Sequence, residues 1–147
     1  MVDDSEWHHL VFTTTASAQA LYIDGASVAV TTHTRSSRAG SVSATVGAHV
    51  TSAVYANMSA DELGIWGVAL SAENVRALYN RGRPIDISSD HGAYDQSDDP
   101  YELTNWWRMG DATNDGSSNL IYDQVGSANA TMTNMDPSTD IQLDTPY

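Results

Sequence analysis

The sequence predicts an all-β protein, an antiparallel jelly-roll-like β-sandwich with one short helix at about residues 72–80. Thr, Ser, Ala and Gly are abundant and Lys is absent, a balance that favours strands over helices. Short apolar or alternating segments recur between turn residues, as the strands of a sandwich do. The chain has 147 residues and an apolar fraction of 41%, so it can bury one core.

Three strands are predicted in the first part of the chain. Leu10–Phe12 and residues 20–23 are apolar runs, and residues 27–31 follow as their partner. Between the last two segments lies Asp24-Gly25, a dipeptide typical of two-residue hairpin turns. We therefore expect a three-stranded meander.

Two further strands precede the predicted helix. Residues 41–46 alternate apolar and polar side chains with a period of two, which predicts a half-buried strand. Residues 61–66 form the next predicted strand, and Gly67 ends it.

The predicted helix has signals at both ends. Ser71 is a candidate N-cap, and Leu70 and Val75 occupy the two positions of a hydrophobic staple. Val75 and Leu78 fall on one helical face. Gly82 can end the helix in a left-handed conformation.

Composition divides the chain into three segments. Residues 1–82 are predicted to form one half of a sandwich. Residues 83–102 are rich in acidic residues and are predicted to be a connector that runs over the surface. Residues 103–147 are predicted to complete or extend the sandwich and to end in a polar tail. Their predicted strands are 103–109, 120–122 and 130–133.

The charge of the chain restricts its partners. There are 19 acidic residues against six Arg, which gives a formal net charge of −13. Such a surface repels nucleic acids and anionic membranes, so we expect neither as a partner. Cys is absent, which excludes disulfides. The first residues hold no apolar run and no segment is long enough to span a bilayer, so we expect no secretory signal and no membrane span.

Trp106 and Trp107 are candidates for contact with a glycan or a partner protein. Neighbouring residues of a strand point to opposite faces, so we expect at most one of the two to face inward. An outward Trp offers an apolar ring and one polar N–H, which suits a sugar or an interface. The sequence contains no nucleophile motif, phosphate-binding glycine loop or basic nucleic-acid patch.

The segment that follows contains candidate ligands for calcium. Its candidate ligands are Asp111, Asn114, Asp115 and Asp123. Calcium prefers six to eight hard oxygen ligands, which these side chains can supply in part. The same residue types form ordinary turns, so a loop without a metal is the favoured interpretation and calcium is the alternative. We expect no other cofactor.

A series of short motifs runs in order through the first half of the chain. A Trp-x-His strand and a Tyr-x-Asp-Gly hairpin are followed by a glycine-bearing strand, an Asp-Glu strand, a Leu-Ser-x-x-x-Val helix and a Leu-Tyr step. The residues of the series are Trp7, His9, Tyr22, Asp24, Gly25, Gly47, Asp61, Glu62, Leu70, Ser71, Val75, Leu78 and Tyr79. This order resembles the laminin G-like branch of the concanavalin A-like lectin/glucanase superfamily. The resemblance implies a sandwich of two sheets.

The rear of the chain resembles a different part of the same family. Residues 107–111, 123–126 and 130–132 are similar to the strands that usually open such a module, and here they stand at the end. Three arrangements fit this order. The chain is a fragment that spans two modules, a rearranged sandwich, or a short subunit whose sheet a neighbouring copy completes. In each of them an open sheet edge invites association.

The resemblance also implies that the protein is not an enzyme. Related glucanases carry Glu-x-Asp-x-x-Glu on one strand, which places acids on one face. Here Asp61 and Glu62 are adjacent, so on a strand they would point to opposite faces, and no acid follows through Gly67. We therefore expect a structural or interaction role.

The pattern is most similar to that of laminin G-like virion proteins of bacteriophages. The implied role is a capsid decoration or tail-associated subunit, a trimer or dimer that binds another virion protein. The expected location is a virion that is assembled in the cytoplasm of a bacterial host. The alternative is a calcium-dependent glycan-binding module of a larger adhesin, which would be secreted.

Overall fold

The computed structural model describes residues 4–32, 44–49, 54–96 and 102–142. Within these ranges the strands pair antiparallel in three small sheets, and one short α-helix stands among them, which confirms the predicted fold class. The elements are β1 (Leu10–Thr14), β2 (Ala18–Ile23), β3 (Ala26–Thr32), β4 (Leu63–Trp66), α1 (Ala72–Tyr79), β5 (Leu103–Trp107), β6 (Leu120–Ile121) and β7 (Ala130–Thr131).

The predicted meander is confirmed, with β2 between β1 and β3. Phe12 lies opposite Leu21 in the pairing of β1 with β2. Asp24 and Gly25 have φ angles of 51° and 74°, the two left-handed residues that a type I′ hairpin turn requires. A Cβ atom on Gly25 would lie 3.0 Å from the ring of Tyr79, so this turn packs closely against α1.

β4 pairs with β5, which joins the rear segment to the front one. Leu63 lies opposite Trp107, and Ile65 lies opposite Asn105. β5 thus occupies the position beside β4 without a second molecule. β4 starts later than predicted because Glu62, with φ 52°, is left-handed and therefore not extended.

The remaining strands are shorter than predicted or differ from the prediction. Residues 41–43 lie outside the described residues, and residues 44–46 are not in a strand. Gly47, with φ 72°, turns the chain there, and Ala48 forms an isolated bridge with Tyr55. β5, β6 and β7 each end one or two residues before the predicted limit.

The helix begins as predicted. The Asn74 backbone N–H donates to the Ser71 hydroxyl at 3.1 Å, and the Ser71 N–H donates to the Asn74 side-chain oxygen at 2.9 Å, which is a capping box. The helix ends one residue before the predicted limit because Asn80 is left-handed, with φ 44°. Gly82 is also left-handed, with φ 82°, and belongs to the 3₁₀ turn that follows. No helix of the described ranges is long and apolar enough to cross a membrane.

The main core draws on several parts of the chain. Its buried residues are Tyr22, Leu70, Val75, Leu78, Ile87, Tyr94, Leu103 and Trp106. Ile87 and Tyr94 come from the segment predicted to run over the surface, and for them that prediction is wrong. The Tyr94 hydroxyl donates to the Ile87 carbonyl at 2.8 Å and accepts the Trp66 indole N–H at 2.9 Å, so its polar end is satisfied inside the core. The division of the chain at residues 82 and 102 stays a prediction.

Candidate interaction surface

One face of the β1–β2–β3 sheet is apolar and exposed to solvent. Leu10 is 57% exposed, Phe12 61% and Leu21 37%. Leu10 and Phe12 are two residues apart on β1 and so share a face, and Leu21 lies opposite Phe12 on β2. We call these three residues the uncovered face.

At β1 and β2 the other face of the same sheet packs against the protein interior, whereas β3 is exposed along its whole length. Tyr22 is part of the main core, and Val11 and Ala20 pack against it. The sheet is therefore apolar on both sides. An antiparallel sheet with one solvated face ordinarily carries polar residues on that face. An apolar patch in their place marks an interaction site.

The sheet lacks the features that keep exposed strands apart. None of the residues of β1, β2 and β3 is charged, although the chain carries a formal charge of −13. Within the described part of the chain, β1 and β3 each have one neighbouring strand, so both are edges. Charged side chains and Pro are the usual protection of such edges against association. The sheet therefore offers both an apolar face and two open edges.

A signal for the uncovered face is present in the sequence. Leu10-Val11-Phe12 and Leu21-Tyr22-Ile23 are uninterrupted apolar triplets. Such runs are typical of strands that are buried on both faces. The strand predictions rest on these triplets, but Leu10, Phe12 and Leu21 are not among the predicted site residues.

Trp106 and Trp107 are both buried, and each is 8% exposed. The prediction that one of them faces outward is wrong. The Trp106 indole N–H donates to the Glu62 carboxylate at 2.6 Å. On the other side of β5, the Trp107 indole N–H donates to the Ala128 carbonyl at 2.8 Å, so the loop before β7 covers it. A glycan or partner contact by these residues stays a prediction, and their rings offer little accessible surface for it.

The structure does not bring the predicted calcium ligands together. The Asp115 carboxylate accepts the backbone N–H groups of Gly110 at 2.9 Å and Tyr122 at 2.7 Å. Asp111 forms an ion pair with Arg108 at 3.3 Å. Among the described residues, no group of three or more His, Asp or Glu side chains could hold a metal ion. The prediction of calcium therefore gains no support from the geometry.

The other two predicted ligands also have structural contacts. The Asn114 backbone carbonyl accepts the Ser117 N–H at 3.1 Å, as in a turn. Asp123 organises the loop between β6 and β7, and two of its donors belong to β5. Its carboxylate accepts hydrogen bonds of 2.5 to 3.2 Å from the Asn105 side chain and from the backbone N–H groups of Trp106, Val125, Gly126 and Ala128. Desolvation raises the pKa of Asp123, but these hydrogen bonds outweigh it and lower the pKa to about 2.

A second group of charged residues lies at the beginning of β4. Arg108 pairs with Glu62 at 3.1 Å, and its guanidinium lies 5.4 Å from the centre of the Trp106 ring. Asp61 Oδ2 is buried and makes no hydrogen bond to any residue that the structure describes. Desolvation, followed by the charge of Glu62, raises the pKa of Asp61 to about 6. This group fixes the end of β5 to the residues before β4.

The fold and the surface define a small antiparallel β-module whose apolar sheet is open on one side. A family model of the concanavalin A-like lectin/glucanases superfamily, of laminin G type, matches residues 1–76 of the 147. The chain therefore belongs to this superfamily. Comparisons with curated proteins and with solved structures give no match.

Proposed function

We propose that the protein is a non-catalytic assembly module that binds a second copy of itself through the uncovered face. The observation that carries this proposal is the apolar side of the β1–β2–β3 sheet that lies opposite the core. Removal of apolar surface from water favours association by about 25 cal/mol per Å². The two edges of the sheet add backbone groups that a second copy can pair.

The charge of the chain favours a second copy as the occupant. Two chains of net charge −13 repel each other wherever their acidic surfaces meet. The β1–β2–β3 sheet carries no charged residue, so copies that meet there experience the least repulsion. A basic partner would find no acidic group to pair with on this sheet. A two-fold axis across the uncovered face gives a closed dimer.

The size of the sheet sets the expected affinity. Three strands of about six residues cover roughly 14 Å by 20 Å, given strand spacings of about 4.8 Å and a rise of about 3.3 Å per residue. That area is smaller than the roughly 800 Å² per partner of a standard interface. We therefore expect a dimer that dissociates at micromolar concentrations unless neighbouring surfaces contribute to the interface. A trimer is the second expected assembly.

The test is a sedimentation velocity series on the full chain, from about one to a few hundred micromolar, the range in which small interfaces dissociate. The expected result is a mass that rises with concentration from one chain to two or three. A monomer at every concentration contradicts the proposal. A glycan array with and without a chelator tests the alternative, because calcium-dependent sugar binding by a monomer would support a glycan-binding module instead.

For the biological setting, we propose a bacteriophage virion surface component, either a capsid decoration subunit or a tail-associated subunit. The support is the resemblance of Leu78-Tyr79-Asn80 and of residues 106–111 to laminin G-like virion proteins, together with membership of the superfamily. The expected partner is another virion protein, and the expected location is the assembled particle. Mass spectrometry of particles purified from cells that express this chain tests the proposal. Many copies per particle support it, and absence from the particles contradicts it.

A further inference from the structure

An open cleft of about 480 Å³ lies where the β2–β3 turn meets the end of α1. Arg76 and Tyr79 of α1, Arg81 of the following turn and His91 line it, and the hairpin turn contributes Asp24. None of these residues belongs to the uncovered face. The cleft is therefore a separate feature from the assembly surface proposed above.

Positive charge is concentrated at this end of α1. The chain has six arginines and no lysine, and three of the arginines, Arg76, Arg81 and Arg83, fall within residues 76–83. In the described part of the chain none of the three takes part in an ion pair, whereas Arg108 makes two. The charges of these three guanidinium groups are therefore not neutralised by a carboxylate within the described residues.

Arg81 is held in an unfavourable backbone conformation. Its φ and ψ angles are 59° and 35°, and Asn80 and Gly82 on either side are also left-handed. Glycine adopts this conformation freely, but a residue with a Cβ atom does not. Residues in this conformation occur in turns and at helix ends, and they also cluster at binding sites. Here the strained residue places its side chain at the cleft.

Asp24, the one carboxylate that the described residues contribute to the lining of the cleft, is already hydrogen-bonded. Asp24 bonds to the His8 ring at 2.8 Å and accepts the His9 backbone N–H at 3.0 Å. Hydrogen bonds to Asp24 and then to Asp4 raise the pKa of His8, so more of its rings are protonated near neutral pH. Asp24 is thus engaged by His8 and His9, and Arg76 and Arg81 bring positive charge to the cleft.

We propose that this cleft binds the carboxylate or sulfate group of a small anionic ligand. A guanidinium presents planar pairs of N–H donors that match the oxygens of a carboxylate or sulfate. The Tyr79 ring adds apolar surface for the rest of the ligand. Arg76 and Arg81 make the cleft attractive to an anion although the chain as a whole is acidic. The ligand class includes sugars with a uronate or sulfate group and inorganic sulfate itself.

The test follows backbone amide shifts by NMR while the full chain is titrated with D-glucuronate, inorganic sulfate or D-glucose at low ionic strength. The two anions should cause saturable shifts at residues 76–82, and the neutral sugar should cause none. A lower dissociation constant for glucuronate than for sulfate indicates a carboxylated ligand, and the reverse order indicates a sulfated one. Failure of both anions to saturate these shifts overturns the proposal.

Two matched variants separate a specific site from general attraction. Arg81→Gly removes the guanidinium and suits the left-handed backbone, so the fold should be kept while the dissociation constant rises about tenfold or more. Arg83→Gln removes the same charge from a neighbour that does not line the cleft but shares an adjoining depression with Asn80 and Arg81, and its dissociation constant should stay within about twofold. Equal losses in both variants contradict the proposal. Much tighter binding of an acidic peptide than of glucuronate also contradicts it and assigns the cleft to a polypeptide.

Discussion

Replacement of Phe12 by Thr tests whether the uncovered face holds two copies together. Phe12 is 61% exposed, and complete burial of a Phe side chain contributes about 1.5 to 3 kcal/mol. Its exposed share therefore corresponds to about 1 to 2 kcal/mol, and a two-fold dimer buries that share twice. After allowance for the Thr methyl group, the dimer should weaken by about 2 to 3 kcal/mol, so its dissociation constant should rise roughly 30- to 150-fold.

Sedimentation equilibrium measures this constant, and a matched variant controls for effects on the fold. Val30→Thr changes a side chain that is 69% exposed but lies opposite Ala20, on the other face of the sheet. It should leave the dimer unchanged. Thr favours strands and Phe12 lies outside the core, so the stability of the monomer should change by about 0.5 kcal/mol at most. Equal weakening by both substitutions, or a wild-type protein that stays monomeric, would refute the reasoning.

Three further substitutions test contacts inside the fold. Asp61→Asn should stabilise the protein by about 1 kcal/mol at about pH 7.5 and hardly at all at about pH 4. The pKa of Asp61 is raised to about 6 in the folded protein, so the wild type loses stability as the pH rises from about 4 through 6. Screening by solvent reduces this loss. Equal gains in thermal stability at both pH values would contradict the prediction. Asp123→Ala leaves backbone N–H groups without their acceptor, so the free energy of unfolding should fall by about 2 to 3 kcal/mol. Calorimetry should show a thermal midpoint that is roughly 5 to 10 °C lower, and an unchanged midpoint would contradict the prediction. Gly25→Ala should lower the thermal unfolding midpoint more than Gly47→Ala does. Both glycines are left-handed, but only a Cβ atom at Gly25 would lie 3.0 Å from Tyr79. Similar decreases in the two variants would argue against this packing.

The parts of the fold that depend on neighbouring residues could be predicted from the sequence. Asp24-Gly25 determines a hairpin because two adjacent residues supply both left-handed angles. Ser71 begins the helix because its hydroxyl reaches the N–H of Asn74 three residues later. In each case the signal and the structure lie within one turn of the chain.

The parts that depend on distant residues could not be predicted in the same way. Alternation correctly places Trp106 and Trp107 on opposite sides of β5, but it does not show that the Ala128 loop covers the second ring. The acidic composition of residues 83–102 predicts a surface segment. Tyr94 is nevertheless buried, and its hydroxyl forms hydrogen bonds with Trp66 and Ile87. Composition averages over a segment, whereas burial is decided residue by residue.

The uncovered face could be predicted from the sequence only in part. The apolar triplets beginning at Leu10 and Leu21 indicate strands that need cover on both sides. They do not show which side the core takes. The core takes the side of Val11 and Tyr22, and the uncovered face follows from that choice.

The pairing of β4 with β5 limits how the polypeptide can be shortened. The match to the superfamily ends at residue 76, whereas the strand that completes this sheet begins at Leu103. A truncated product that stops at residue 82 would lose Leu103 and Trp106 from its interior and leave β4 with an open margin. We therefore expect that residues 1–82 do not fold alone and that their recombinant expression yields insoluble material.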